Sequence, residues 1–215
     1  KHWIMKYLFI FFLVLPTFVL GQNSNVFKLS KKLARTTKFA SGWIALDSGW
    51  KFKAGDNPDW AKPGLNDSSW QSINIFPGLN GLSQIPKSGI TWFRLRLTTD
   101  STMNRQLVMR IYQTGASEVY LEGKLIHRFG IVSANRDSVK YYSPNSKLLS
   151  FPLVHDTEQL LAIRFANLPE RYPIYSNGFK SNLEPWITTL DNADDDYFVR
   201  YYRPYNTRIH IDIGV

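Results

Sequence analysis

The sequence predicts an all-β fold. Short segments rich in β-branched and aromatic residues alternate with polar or glycine-containing turns over most of the chain. Clusters of Gly, Pro, Asn and Asp recur between these segments, and no long stretch outside the N-terminal apolar run has a helical apolar period. With 215 residues, 44% of them hydrophobic and 15% aromatic, the chain is long enough to build one sizeable core.

The stretch from Asp47 to Trp70 shows this pattern most clearly. It carries three tryptophans, Trp50, Trp60 and Trp70, with turn-forming residues between them. Those residues supply turn geometries that a helix interior does not accept, so the stretch predicts a strand, a folded loop and a second strand. Trp60 falls in the loop, whereas Trp50, Trp70 and the later Trp92 fall at strand positions and are expected to fill the sandwich core.

Six later segments also have the composition and the alternation of strands. Glu122 and Gly123 lie between two of them and form a two-residue hairpin signal. Arg110 and Arg164 interrupt otherwise apolar runs, which predicts that one face of those strands meets solvent. The segments are Ile90 to Thr98, Gln106 to Tyr112, Ser117 to Leu121, Lys124 to Phe129, Lys147 to Leu153 and Gln159 to Ala166.

The last part of the chain is less regular. The segment from Asn167 to Asn182 contains prolines, a glycine and aromatic residues, and it predicts a long loop. Asp191 to Asp196 is rich in aspartate but lacks the spacing, central glycine and closing glutamate of an EF-hand, so we interpret it as a solvated acidic turn. The final residues, RIHIDIGV, have the pattern of a strand, which suggests a fragment of a longer protein.

Residues 1–21 predict an export signal. The basic residue Lys6 precedes an apolar run from Tyr7 to Leu20, and a small residue follows. That run is short for a hydrocarbon core of about 30 Å, and an uncleaved membrane anchor is the alternative. We interpret the basic residues 22–46 as a lead-in segment and residues 47–215 as the sandwich domain, located in the periplasm or another extracytoplasmic compartment.

The composition excludes several functional classes. The chain has no cysteine, which excludes disulfides, thiol catalysis and thiolate metal sites, and its four histidines fit no metal-ligand spacing. The formal net charge is +9, but the basic residues are scattered among acids without a nucleic-acid-binding signature, so no nucleic acid partner is expected. No cofactor is expected either. A calcium ion held by backbone carbonyls would leave no side-chain signature and stays open.

The order of the motifs resembles that of galactose-binding-like jelly-roll domains. WKFKAGDNPDWAKPGLNDSSWQSI, GITWFRLRLTTD and GASEVYLEGKLIHRFG follow one another as in the N-terminal domains of glycoside hydrolase family 2 and, more closely, the exported sensor domains of Bacteroidetes membrane signalling proteins. The resemblance covers about residues 47–166 and departs at Asn66 and Glu122, which stand for an Asp and an Asn. It implies a jelly-roll β-sandwich after the signal peptide, without the catalytic residues, which in family 2 lie in a separate barrel.

The residues themselves also argue against catalysis. A glycosidase needs two carboxylates on either side of the sugar bond. Glu118 and Glu122 lie in or beside a hairpin, and the remaining glutamates lie in unrelated segments. The nucleophile elbow, the phosphate loop and the dinucleotide glycine pattern are missing from the sequence. We therefore expect this chain to be non-catalytic.

Sugar binding requires an exposed aromatic face and a few planar polar groups. Trp60 is the best aromatic candidate, and Asp56 begins the exposed part of the same loop, although Trp60 could instead plug the loop against the sandwich. Arg94 could reach a ligand carboxylate or hydroxyl. Its alternative role is a salt bridge to Asp56 or Asp67 that locks the loop.

A second candidate cluster follows the hairpin. It consists of Tyr141 and Tyr142 together with Arg128 and Arg136. Cationic and aromatic side chains in one loop region are typical of polar ligand sites, and simple loop packing is the alternative.

Three functions stay open on the sequence alone. The leading hypothesis is the extracytoplasmic ligand-sensing module of a larger membrane signalling protein, with a histidine kinase, a cyclase or a PP2C-type phosphatase as its output domain. The alternatives are the sugar-binding accessory domain of a family 2 type glycosidase and a free-standing carbohydrate-binding protein. In each case the expected partner is a carbohydrate or another small extracellular ligand. Any membrane attachment is expected in segments outside this chain. The sequence does not determine the oligomeric state.

Overall fold

The structure, a computed structural model, describes residues 26–30, 33, 42–75, 83–86, 88–103, 106–144, 147–168, 183–195 and 211–212. In this part of the chain twelve strands form two sheets, and a short α-helix, α1 (Leu190–Asp195), follows the eleventh strand. In chain order the strands are β1 (Phe27–Leu29), β2 (Ile44–Ala45), β3 (Trp50–Ala54), β4 (Gln71–Ile73), β5 (Ile90–Thr99), β6 (Leu107–Gln113), β7 (Gly115–Leu121), β8 (Lys124–Phe129), β9 (Leu148–Ser150), β10 (Gln159–Asn167), β11 (Leu183–Thr189) and β12 (Ile211–Asp212).

The two sheets have the connectivity of a jelly roll. Sheet 1 has the order β4-β3-β5-β10-β7-β8, and β1 pairs in parallel with the end of β5. Sheet 2 has the order β12-β9-β6-β11-β2. From β5 onwards the chain crosses repeatedly between the sheets, because β5, β7 and β10 lie in sheet 1 while β6, β9 and β11 lie in sheet 2. The predicted all-β jelly-roll sandwich is confirmed.

The core between the sheets follows from the two-residue period of the strands. Alternate residues of β5, β6 and β10 are buried in one apolar cluster between the sheets. Burying a large apolar side chain stabilises the folded state by about 1.5–3 kcal/mol. Phe93 lies at the aromatic centre of this cluster. Its ring centroid is 6.4 Å from Trp50, 6.3 Å from Phe52 and 6.5 Å from Phe165.

A second apolar cluster, the outer cluster, lies on the opposite face of sheet 1. Here the loop between β3 and β4 folds back over the outward-facing residues of β5 and β10. The outer cluster consists of Ala61, Trp70, Ile90, Trp92, Leu160 and Ala162, with Trp60, Leu65, Tyr120 and Val132 packed against it. The β3–β4 loop therefore covers part of the outer face of sheet 1 and gives that part its own apolar packing.

The turn residues of this loop perform the roles that the sequence predicts. Asn57 caps a 3-10 turn over Pro58–Ala61, and its Oδ1 accepts a hydrogen bond from the Asp59 amide at 2.9 Å. Asn66 forms a similar local turn, because its Oδ1 accepts from the Ser68 amide at 3.0 Å. The change from Asp to Asn at this position therefore preserves the turn.

Most predicted strands occur within one or two residues of their predicted limits. The hairpin between β7 and β8 turns at Glu122 and Gly123, whose φ angles of 51° and 77° are the positive values that a tight primed turn requires. The terminal strand prediction is confirmed at Ile211–Asp212, which pairs in parallel with β9.

The outer parts of the chain contain elements that were not assigned from the sequence. β1 and β2 lie inside residues 22–46, the lead-in segment. Asp191 belongs to helix α1 and not to an acidic turn. β11 was not predicted; it contains Pro185, whose carbonyl accepts a hydrogen bond from the Leu46 amide at 3.0 Å.

Several predicted segments lie outside the described residues. They are the export signal at residues 1–21, Asp196, and residues 169–182 of the predicted long loop. Asn167, where that loop was predicted to begin, is the last residue of β10.

Two glycines allow close backbone approaches, Gly130 between the loop after β8 and sheet 1, and Gly115 between β7 and β10. Gly130 has φ +82°, and a Cβ atom there would lie 2.1 Å from the Lys140 carbonyl oxygen. Gly115, at the start of β7, has φ +152°, and its Cβ would lie 2.1 Å from the Ala166 carbonyl oxygen. Both positions exclude any side chain. As a result, the Tyr142 amide donates to the Gly115 carbonyl at 3.0 Å.

Candidate functional site

A row of polar and aromatic side chains crosses the outer face of sheet 1. The strand registers place Lys53 beside Trp92, Trp92 beside Arg164, Arg164 beside Glu118, and Glu118 beside Arg128. Because directly opposed residues of neighbouring strands project from the same face, these five side chains form one line perpendicular to the strands. We call this line the outer row.

Asp56 joins the outer row from the loop that follows β3. Its two carboxylate oxygens accept hydrogen bonds from Nε and Nη2 of Arg164 at 2.7 and 2.6 Å, and Oδ1 also accepts from the Trp92 indole at 3.3 Å. The Arg164 guanidinium holds the pKa of Asp56 below its ordinary value, although partial burial opposes the shift. The same ion pair raises the pKa of Arg164. This bidentate pair ties the loop to the centre of the sheet.

Glu118 occupies the other side of Arg164. Its Oε2 accepts from Arg164 Nη1 at 3.1 Å and from the Tyr120 hydroxyl at 2.7 Å, and its Oε1 accepts from Arg128 Nε at 3.2 Å. Burial alone would raise the pKa of Glu118, but the hydrogen bonds from these three donors outweigh burial and lower that pKa below its usual value. Burial and the neighbouring carboxylate raise the pKa of Tyr120. Both carboxylates of the site are therefore ionised at neutral pH.

Trp60 packs at the end of the outer row that begins with Lys53. Its ring meets the edges of Trp70 and Trp92 at centroid distances of 5.1 and 6.5 Å, and it stays half-buried. The Lys53 ammonium lies 4.8 Å from the ring centroid, within cation–π range. Gly55 has φ +117° and leaves room for the ring, because a Cβ there would lie 3.2 Å from it. Trp60 thus combines a packing role with a partly exposed aromatic surface beside Asp56.

Arg94 lies beneath the loop and not in an accessible site. Its side chain is fully buried, and its Nε donates to Asp67 Oδ2 at 2.7 Å. Its terminal nitrogens donate to the carbonyls of Trp60, Lys62 and Leu65 at 2.5, 3.0 and 3.4 Å. Burial lowers the pKa of Arg94, and the Asp67 carboxylate opposes that shift. The arrangement corresponds to the alternative role, a lock for the tryptophan-rich loop.

The second predicted cluster is divided by the structure. Arg128 belongs to the outer row through its ion pair with Glu118. Tyr142 instead stacks on Phe129 at a centroid distance of 5.9 Å, and its carbonyl accepts from the buried Gln113 side chain at 3.0 Å. Tyr142 therefore packs the loop onto the sandwich.

The structure places three predicted residues, Asp56, Trp60 and Arg128, in the site on the outer face of sheet 1. Five further residues of this site were not predicted as binding residues: Lys53, Trp92, Glu118, Tyr120 and Arg164. The missing signal was the pairing of β7 with β10. Alternation within each strand places Glu118 and Arg164 on a solvent-facing side, but only the register shows that they are neighbours.

The described residues offer no conventional metal centre. Within them, no group of three or more His, Cys, Asp or Glu side chains is arranged to hold a metal ion. A transmembrane helix is likewise missing from the described ranges, since none of their helices has the length and hydrophobicity to cross a bilayer.

Comparison with known proteins gives matches among solved structures. No protein-family model matches the chain, and no curated protein matches it significantly. Similar structures include a β-glucuronidase of Bacteroides uniformis (22% identity, TM-score 0.48), a glycosyl hydrolase family 2 member from Bacteroides cellulosilyticus (17%, 0.45) and a β-glycosidase from Bacteroides vulgatus (19%, 0.39).

These matches cover most of this chain but little of the enzymes. The aligned regions cover 68%, 68% and 67% of this chain and only 18%, 20% and 20% of the three enzyme chains. At these identities and TM-scores the similarity carries no conclusion about activity or ligand. The sandwich architecture rests on the strand pairing itself.

Proposed function

We propose that this chain is a non-catalytic carbohydrate-binding module of a larger exported protein, and that it binds its ligand on the outer face of sheet 1. The observation that carries the proposal is that the half-buried Trp60 ring lies at one end of a row of polar groups on the same sheet face, and that ion pairs fix Asp56, Glu118 and Arg128 along this row. Sugars are bound by an aromatic surface together with a few fixed planar polar groups. The ion pairs of Arg164 hold two such groups in place.

The electrostatics of the site support a binding role over a catalytic one. A glycosidase acid must keep its proton near neutral pH, which requires a raised pKa. Asp56 and Glu118 instead have lowered pKa values, because both accept hydrogen bonds from Arg164. Neither carboxylate is suited to donate a proton to a leaving group.

The larger context is proposed from the sequence. The apolar N-terminal run and the motif series that resembles exported sensor domains favour a ligand-sensing module of a membrane signalling protein. The accessory domain of a family 2 type glycosidase is the alternative. The reading frame after Val215 separates them, since it would encode a membrane segment with a signalling domain in one case and a catalytic barrel in the other.

A glycan panel tests the binding proposal. The purified protein is expected to bind at least one glycan saturably, and Trp60→Ala is expected to abolish that binding. Trp60→Phe keeps an aromatic ring at the same position and should retain part of the affinity, and thermal melting should show that both variants are folded. If no glycan binds, the proposal fails. If Trp60→Ala binds as well as the parent, the site is wrongly assigned.

A further inference from the structure

We infer that the ligand of the outer row is an acidic carbohydrate, one bearing carboxylate or sulfate groups, which lies across the strands from Lys53 to Arg128. The inference rests on the proposed carbohydrate-binding function and adds the chemical class and the direction of the ligand. It depends on the distribution of charge along the row.

The two ends of the row carry exposed cations. Arg128 has a side chain that is 64% exposed, and Glu118 is its ion-pair partner through Nε. Within the described residues its two terminal nitrogens form no hydrogen bond. Lys53 is also exposed, and its ammonium contacts the rings of Trp60 and Trp70 at 4.8 and 5.9 Å without an ion-pair partner in the same part of the chain. Both cations are accessible to an anionic group.

The centre of the row has no excess positive charge. The single guanidinium of Arg164 is shared between the two carboxylates of Asp56 and Glu118, and its side chain is only 17% exposed. The carboxylate oxygens keep lone pairs that sugar hydroxyl groups can donate to. A ligand is therefore expected to place hydroxyls over the centre of the row and negative groups at its ends.

The length of the row suits an extended chain and not a single sugar. Lys53 and Arg128 are separated by four strand-to-strand steps, which correspond to about 19 Å at about 4.8 Å per step. Without residues 1–21, which carry Lys1 and Lys6 and no acid, the chain keeps a formal net charge of +7 (24 basic minus 17 acidic residues), and this charge adds a long-range attraction for a polyanion. Charge and length together favour an acidic oligosaccharide or polysaccharide.

Matched pairs of polymers test the inference. Polygalacturonate is compared with its fully methyl-esterified form, and dextran sulfate is compared with dextran, by calorimetric titration at low and high salt. We expect at least one acidic polymer to bind more tightly than its neutral partner, and the preference to shrink as salt rises. The two pairs distinguish a carboxylate ligand from a sulfate ligand.

Charge-removing variants locate the binding. Lys53→Gln and Arg128→Gln are each expected to weaken binding of the acidic polymer about threefold to fivefold, as for the loss of one exposed ion pair. Lys124→Gln is the matched control. Lys124 is exposed on the same strand as Arg128 but pairs with Leu121, on the side of the strand that faces the core. It should leave binding unchanged.

The outcomes separate the two proposals. Equal binding of the acidic and neutral forms would overturn the inference and leave the carbohydrate-binding proposal intact. Equal losses for Lys124→Gln and Arg128→Gln would also overturn it, because the attraction would then be unspecific. A protein that binds none of the four polymers and no glycan of the panel would overturn both.

Discussion

At the scale of single residues, two arginines on the outer face of sheet 1 have different roles. Arg94 and Arg164 face each other diagonally on neighbouring strands, and both pair with a carboxylate from the same loop. Arg94 is fully buried and also binds three carbonyls, whereas Arg164 is partly exposed. Arg94 therefore stabilises the loop, and Arg164 organises the surface that a ligand can reach.

Replacing Arg94 should strongly destabilise the protein, because the Arg94–Asp67 ion pair beneath the loop is buried. Arg94→Met leaves the Asp67 carboxylate and the loop carbonyls without their donor, and we expect the free energy of unfolding to fall by about 3–5 kcal/mol. The control is Arg96→Met on the same strand. Arg96 pairs with the exposed Glu158 at 3.1 Å and donates to the Pro63 carbonyl at 3.2 Å, so a smaller loss of about 1–2 kcal/mol is expected.

Urea denaturation at neutral pH, followed by circular dichroism, measures both changes. Should Arg94→Met fail to fold, Arg94→Lys keeps the charge but cannot form the forked set of hydrogen bonds, and an intermediate loss is expected. If Arg94→Met and Arg96→Met lowered the free energy of unfolding equally, burial of the Arg94–Asp67 pair would not determine its contribution to stability.

At the scale of elements, the sequence predicts where the strands are but not which strands pair with one another in the sheets. The β7–β8 hairpin was predictable because Glu122 and Gly123 determine a local turn. The outer row was not, because it depends on β10 lying between β5 and β7, a pairing between segments distant in sequence. The role of Arg94 could be stated only as an alternative, since alternation gives the face of a residue but not the loop that covers it.

The link between the β3–β4 loop and the sheet should depend on pH. The folded-state pKa values of Asp56 and Glu118 lie below the ordinary values of 3.8 and 4.5. Carboxyls with lowered pKa values stabilise the fold above their unfolded-state pKa and lose that contribution as the pH falls through the folded-state value. We therefore expect the stability of the protein to decrease as the pH is lowered below 4.5.

Asp56→Asn tests this dependence. At pH 7 it should lower the free energy of unfolding by about 1–2 kcal/mol, because a charged hydrogen-bond acceptor of Arg164 is lost. At about pH 3 the loss should be smaller, since the unfolded-state carboxyl is then mostly protonated. Asp59→Asn is the control, because Asp59 forms an exposed pair with Lys62 worth about 0.5 kcal/mol. If Asp56→Asn lowered the free energy of unfolding equally at pH 7 and at about pH 3, the ion pair of Asp56 with Arg164 would not be the source of the pH dependence.

At the scale of the whole molecule, a single core joins the two sheets. Its members come from strands of both sheets, and the outer cluster shares β5 and β10 with it. The fold class was predictable because alternation and turn chemistry are local properties of the sequence. The position of β1 was not predictable. β1 pairs in parallel with Leu97 to Thr99 of β5, and its own three residues have no sequence pattern that indicates this pairing.

This shared core predicts that the sandwich unfolds as one unit. Phe93→Ala removes a ring that contacts Trp50, Phe52 and Phe165, and the cavity should lower the free energy of unfolding by about 3–5 kcal/mol. Urea curves from tryptophan fluorescence, which reports on both clusters, and from circular dichroism should shift together. Val154→Ala is the control, because Val154 is 58% exposed and should change stability by less than about 0.5 kcal/mol. Two separate transitions in the parent protein would instead show that the loop over the outer face unfolds independently of the sandwich.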